Sequence, residues 1–433
     1  MINRLGRNLP ITQHGKKKRY IKRWKWGGSV FFLAVLIQGM PIARTLTAPQ
    51  SMGAAERFKY VSANAATIGL ESTIVVALIW ATFYCLAGFT VYRFGQRSLG
   101  WTIKKEWSLF LLVLLVPFSL LRSEFSGPIM MNTIHTIGAV LIAFASAKHY
   151  YFRPRVWLQR LGAVLGINVA VHVLSVFLMP GLTVAYDGRW QGLTTNANTL
   201  GLIGFLTLWA NSTRMVIERK FYWFAGVCTI FAACALWGTQ SMTSILCAII
   251  SIALVVFLSN RLLWDKFIRL ILKISPLILL LLYVYWDATS SDIAFVTGRT
   301  QDFSGRLDHW KDAIMLIFQK PILGWGFDNN ATVISVVHLP TVHFHNGFLD
   351  LAVRGGMVAV FLFGVILVKY YKSIGNHRRN HTLAVITVPF VISMLIYNMT
   401  EVSFCASRNV QWLTFLVVLF MSVLCSRVVR RNY

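Results

Sequence analysis

The sequence predicts an all-α, polytopic membrane protein of about twelve transmembrane helices, with a large, partly helical loop between the ninth and the tenth. Three observations carry this. Of 433 residues, 56% are hydrophobic and only 13% are charged, about half the charged fraction of an ordinary soluble domain. The apolar residues gather in runs close to the length a helix needs to cross a bilayer. The formal net charge of +27 is concentrated in short segments between alternate runs.

In order, the runs fall at about 27–46, 67–92, 107–121, 129–147, 157–180, 196–210, 221–237, 242–258, 267–286, 347–368, 382–398 and 409–425. The third and sixth are short. Twelve spans leave both termini on one side of the membrane. The leader 1–26 holds nine basic residues and no acid, which assigns that side to the cytoplasm. The segments sharing it, including the basic tail 426–433, carry most of the basic residues but only Glu106, Glu218 and Asp265 as acids. The positive charge is therefore a topology signal with some affinity for anionic lipid, and not a nucleic-acid footprint. The expected organisation is a basic segment 1–26, spans one to nine over 27–286, an outward loop 287–346, spans ten to twelve over 347–425, and the tail.

The six cysteines form no CxxC pair and lie mostly within spans, where a small soft side chain packs well. A basic leader running into a long apolar stretch reads as a retained first span, not a cleaved signal. No GxxxxGK[ST] loop is present, which argues against ATP-driven transport. No DxD is present to hold a nucleotide-sugar through a metal. Neither related halves nor a broken midplane helix is read, so a transporter or flippase is the lesser reading.

The loop 287–346 is rich in Trp, Phe, Ile and Val, and loops of this length tend to be functional. Its middle, GRLDHWKDAIMLIFQKP, spaces Leu307, Trp310, Ile314, Ile317 and Phe318 as one face of an amphipathic helix. Ser304 is the expected N-cap, and Pro321 with Gly324 ends the run.

Candidate chemistry lies on the outward face. Arg189 sits with Asp187 before the sixth span; Arg299 and Arg306 belong to the large loop; Glu401 and Arg408 precede the last span. Three of these arginines follow a glycine (Gly188, Gly298, Gly305), and a guanidinium fork matches phosphate oxygens bidentately. Snorkelling, or pairing with Asp187 or Asp302, is the alternative for each. At the tenth span Asn346, Asp350 and Arg354 recur every four residues and so share one helix face, expected to line a polar cavity. Asp350 and Arg354 are expected to neutralise one another, and Asn346 to cap the helix or hold a substrate hydroxyl. His345, one residue off that face, can exchange protons near neutral pH and is the candidate general base. His338, His343 and His309 lie nearby without metal-ligand spacing, so no metal or cofactor is expected. Arginines beside a base suit displacement of a diphosphate-linked leaving group from a lipid carrier.

GRLDHWKDAIMLIFQKPILGWGFD followed by HFHNGFLDLAVRGGMVAVFLF resembles the C-terminal signature of the O-antigen ligase and polysaccharide polymerase superfamily, and RWQGLTTNANTLG is similar to its G-x-x-x-x-x-N-x-x-G element. The resemblance covers residues 189–356. It implies an inverting, metal-independent glycosyltransferase of the bacterial inner membrane, its active site facing the periplasm. The implied donor is a glycan on undecaprenyl diphosphate; a glycan acceptor, membrane lipids and a candidate chain-length regulator are the implied partners. By position His345 corresponds to the superfamily's essential histidine, and Arg189 and Arg306 to its diphosphate-binding arginines. Arg354 stands where members often carry an acid, and Met242 where many carry a basic residue. HNGFLDL and YNMTEVSF with RNVQW look most like exopolysaccharide polymerases of the succinoglycan type. Ligases that transfer glycan to lipid A-core share the other motifs and are the alternative.

Overall fold

The computed structural model describes residues 25–39, 54–123, 125–185, 187–194, 196–259, 306–328, 332–333, 344–375, 381–406 and 408–431. These residues form the helices α1 (Lys25–Gly39), α2 (Ala54–Lys105), α3 (Trp107–Phe118), α4 (Ser126–Tyr150), α5 (Pro154–Leu178), α6 (Pro180–Thr183) and α7 (Ala197–Glu218). They continue with α8 (Trp223–Thr239), α9 (Met242–Ser259), α10 (Arg306–Gln319), α11 (Gly347–Gly375), α12 (His381–Tyr397) and α13 (Val410–Arg431). No strand occurs among the described residues beyond an isolated bridge between Val184 and Trp190. The fold is all-helical.

Every expected span except the ninth coincides with a helix; the ninth, 267–286, lies outside the described residues. Six helices are long and apolar enough to cross a membrane, and shorter apolar helices accompany them. Several helices run past the expected boundaries, α2 beginning already at Ala54 and α11 continuing to Gly375. α2 runs on through Arg93 and Arg97 to Lys105, because no proline interrupts that polar stretch. α7 is 22 residues long rather than stopping near 210. Its buried Asn211 continues the helix at no polar cost, donating to the carbonyls of Gly162 and Thr207 at 3.1 Å each.

α7 packs against α5, α8 and α9, while α4 packs against α1, α2 and α13. The α5–α8 crossing is close because Gly166 has no side chain: a Cβ there would lie 2.2 Å from the Cys228 sulfur. α13 is buried on every side from Val410 to Cys425, the mark of a helix at the centre of a bundle.

α11 is not the continuous span that its sequence predicts. Gly356 is non-helical at φ 64°, ψ −171° and divides it in two. The backbone groups released by the break are taken up by the segment after α10. Val353 and Arg354 carbonyls accept from Trp325 and Gly326 N–H at 2.8 and 2.9 Å, and Met357 and Val358 N–H donate to Pro321 and Ile322 carbonyls at 2.8 and 3.2 Å. A backbone interruption survives in a membrane protein only where such partners replace the lost helical bonds. PILGWG is thereby stitched onto α11.

Candidate functional site

The site is assembled where α10, α11, the α5–α7 connection and the α12–α13 turn meet. The turn is organised by Asn398, which is fully buried. Its amide donates to the Met394 carbonyl at 2.8 Å and to Ser403 Oγ at 2.7 Å, and its Oδ1 accepts from the backbone N–H of Ser403 and Phe404. One side chain thus closes the turn that carries Glu401. Gly347 N–H donates to the Asn398 carbonyl at 2.7 Å, and a Cβ on Gly347 would stand 2.2 Å from Asn398 Oδ1. The glycine after His345–Asn346 is what lets α11 begin against this turn.

Glu401 is the hub. Its Oε1 accepts from Arg306 Nη2 at 2.6 Å and from Asn198 Nδ2 at 2.7 Å, and the residue is 7% exposed. Asn198 Oδ1 in turn accepts from Arg189 Nη2 at 2.8 Å, and Arg189 Nε donates to the Thr239 carbonyl at 2.7 Å. Arg189 also faces Asp187 at 3.9 Å. A charge-assisted chain therefore links the two arginines through an amide and a carboxylate. Arg306 spends one of its five N–H groups on Glu401, and no other partner is seen among the described residues.

His345 lies beside this chain, with Nδ1 3.8 Å from Glu401 Oε2. Its backbone is left-handed at φ 49°, a conformation that costs a non-glycine residue energy and that recurs at functional sites. The side chain keeps 30% exposure. His309, one turn beyond Arg306 on α10, stacks its ring over that of His345 with centroids 6.0 Å apart and planes inclined by 25°. The amphipathic helix therefore contributes Arg306 and His309 from one face, at i and i+3. It spans Arg306–Gln319, as its apolar spacing predicts; Ser304 lies outside the described residues.

The stripe on α11 divides. Asn346 caps the helix, its Oδ1 accepting from Phe348 and Leu349 N–H at 3.0 and 3.1 Å while its amide donates to the Met399 carbonyl at 3.0 Å. Asp350 and Arg354 close on each other at 2.9 Å, with side chains 2% and 12% exposed. The two thus neutralise each other within the bundle, which is the cheapest state for an ion pair among apolar helices. Arg408 is exposed, and its charge acts on Tyr84 of α2 and His135 of α4. Arg299, His338 and His343 lie outside the described residues.

Sequence reading missed Asn198, Asn398 and the position of His309. Asn198 is the asparagine of the G-x-x-x-x-x-N-x-x-G element, so a signal existed without a role attached. Asn398 has no such signal. Among the described residues no group of three or more His, Cys, Asp or Glu side chains could hold a metal ion.

Arginines, a carboxylate and a histidine gathered at one end of an all-helical membrane bundle suit chemistry on an anionic, membrane-borne substrate. Residues 227–364 match the family model described as O-antigen ligase. That region is thus similar to the O-antigen ligase and polysaccharide polymerase superfamily, within an all-helical chain that carries membrane-spanning helices. The match runs from α8 into α11 and includes Arg306, His309 and His345, whereas Arg189, Asn198 and Glu401 lie outside it. Nothing in it singles out the succinoglycan branch. No curated protein matches the chain.

Proposed function

We propose that the protein polymerises oligosaccharide repeat units carried on undecaprenyl diphosphate, at the periplasmic face of the bacterial inner membrane, by inverting, metal-independent glycosyl transfer. The observation that carries this reading is the convergence of Arg189, Arg306 and His345 on Glu401. His345 takes the proton from the acceptor hydroxyl. The freed oxygen attacks the anomeric carbon of the donor from the face opposite the diphosphate, and the bond from carbon to diphosphate oxygen breaks. Arg306 and Arg189 stabilise the charge gathering on the departing diphosphate, a role that fixed guanidinium groups fill without reorganisation. Glu401 holds Arg306 and stabilises the imidazolium formed when His345 is protonated. The positive-inside distribution of the basic segments supports cytoplasmic termini and an outward site.

The test is purified full-length protein in nanodiscs with a lipid-linked repeat unit and no nucleotide or ion gradient. Wild type forms polymer, and His345→Ala lowers the rate by about 10²–10⁴-fold, the usual contribution of a general base. Unchanged polymer formation by well-folded His345→Ala overturns the base assignment. The family description favours a second reading, transfer of finished glycan to lipid A-core. Adding lipid A-core separates the two: a ligase consumes it as acceptor, whereas a polymerase extends the lipid-linked glycan without it. Movement of lipid across the bilayer with no glycan transfer would instead indicate a flippase.

A further inference from the structure

α3 and the second half of α11 border an apolar groove of ≈ 760 Å³, lined by Leu111, Leu114, Phe118, Ile322, Met357 and Phe361 among others. All six are exposed, Phe361 to 66%. The groove runs along α3 from Trp107 to Phe118, roughly 16 Å at the helical rise per residue. It ends beneath the PILGWG segment, at the same end of the bundle as Glu401. The direction suits a lipid chain whose headgroup lies at the site end.

Arg122 stands at that end, just past α3. Its Nη1 donates to the carbonyls of Leu323 and Gly324, the latter at 3.2 Å, and its guanidinium carbon lies 5.5 Å from the centroid of Phe118 in the groove wall. Its Nε and Nη2 are shielded from solvent and have no hydrogen-bond partner among the described residues. No ion pair to Arg122 occurs among the described residues, and burial lowers its pKa with no acid opposing the shift. Unsatisfied donors on a shielded cation are costly unless an anion completes them. Two N–H groups of one planar fork fit adjacent phosphate oxygens. Lys320, at the rim beside Pro321, adds a second cation there and lies over the Trp325 ring at 4.0 Å.

This phosphate site is not the one built on Arg189 and Arg306. Arg306 opens α10, whereas the Leu323 and Gly324 carbonyls that hold Arg122 follow its end at Gln319, roughly 20 Å along that helix by its rise. One diphosphate cannot occupy both places, but an oligosaccharide can bridge them. We propose that the groove holds the isoprenoid chain of a second lipid-linked diphosphate, the glycosyl acceptor, with Arg122 binding its phosphate. The inference rests on the polymerase reading, in which two lipid-linked substrates must meet.

The probe is a polyprenyl diphosphate oligosaccharide with a photoreactive group on its isoprenoid chain, added to full-length protein in phosphatidylcholine nanodiscs. The expected adducts lie on 107–122 and 357–362. Arg122→Gln reduces them by about tenfold, the loss of one charge-assisted contact. Leu114→Trp fills the groove while leaving Arg122 and its carbonyl partners in place, and reduces them likewise. Excess phosphatidylglycerol does not compete. Adducts absent from these segments, unchanged in both variants, or displaced by phosphatidylglycerol overturn the proposal. If polymer forms while the groove stays unlabelled, the polymerase reading stands and this inference alone falls. If the groove labels but wild type never forms polymer, the polymerase reading falls and the acceptor role falls with it.

Discussion

Glu401 accepts a 2.6 Å charge-assisted hydrogen bond from Arg306, a residue 95 positions earlier in the chain. With 18% and 10% side-chain exposure, the pair is shielded enough to hold the α12–α13 turn against the start of α10. The same carboxylate receives Asn198 and faces His345, so it sets the spacing between the proposed base and the proposed diphosphate site.

Glu401→Gln keeps the shape and removes the charge. The expected result is glycan transfer slowed by at least about tenfold, since a neutral acceptor holds Arg306 more weakly and no longer stabilises a protonated His345. Asn198→Ala should slow transfer too, by removing the amide that links Arg189 to Glu401. Initial rates on a lipid-linked repeat unit check both, with size-exclusion profiles to verify folding. An unimpaired Glu401→Gln enzyme would remove Glu401 from the mechanism.

The buried Asp350–Arg354 pair is expected to matter for stability more than for chemistry. Removing one partner, as in Arg354→Met, strands a carboxylate in the bundle at a cost of about 3–5 kcal/mol. The double variant Asp350→Asn/Arg354→Met leaves no uncompensated charge and should recover most of that loss. Thermal denaturation of the three proteins in detergent decides. Equal melting of single and double variants would mean that the pair is not coupled.

Gly356→Ala should loosen the PILGWG segment from α11. The backbone there has φ +64°, and an added Cβ would lie 2.1 Å from the Ile322 carbonyl oxygen. Strain of this kind is worth about 1–3 kcal/mol before any clash is counted. The readout is faster proteolysis within 320–333 together with a lower Tm. A variant as stable and as resistant as wild type would show that the break can close.

Glu106, between α2 and α3, is 2% exposed with no partner for Oε2, and burial raises its pKa from 4.5 to about 7 against the opposing pull of Lys369 and Lys105. The unfolded chain loses this proton near 4.5 while the folded protein keeps it until about 7. Stability therefore falls as pH rises through that window, by up to about 3 kcal/mol. Glu106→Gln cannot ionise and should melt above wild type at pH 8 but near it at pH 4.5. Parallel melting curves at both values would contradict the shift.

Sequence alone determined the helical membrane fold, the placement of nearly all its described helices, the amphipathic α10, and the i, i+4 relation of Asp350 and Arg354. Each rests on apolar run length or helical spacing, which are local properties of the chain. Tertiary structure decided which side chains meet. Asn198 reaches Glu401 across 203 positions, and Arg122 reaches Gly324 across 202. Arg122 has no glycine beside it and lies in a polar turn, so nothing in its neighbourhood announces a role. The break at Gly356 also escapes a linear reading, because GlyGly within an apolar run is compatible with a continuous helix. It is held open only where Pro321, Ile322, Trp325 and Gly326 supply the backbone partners the helix gives up. Helix formation is fixed by hydrogen bonds four residues apart. The site depends on hydrogen bonds between helices, which exist only once the bundle has packed.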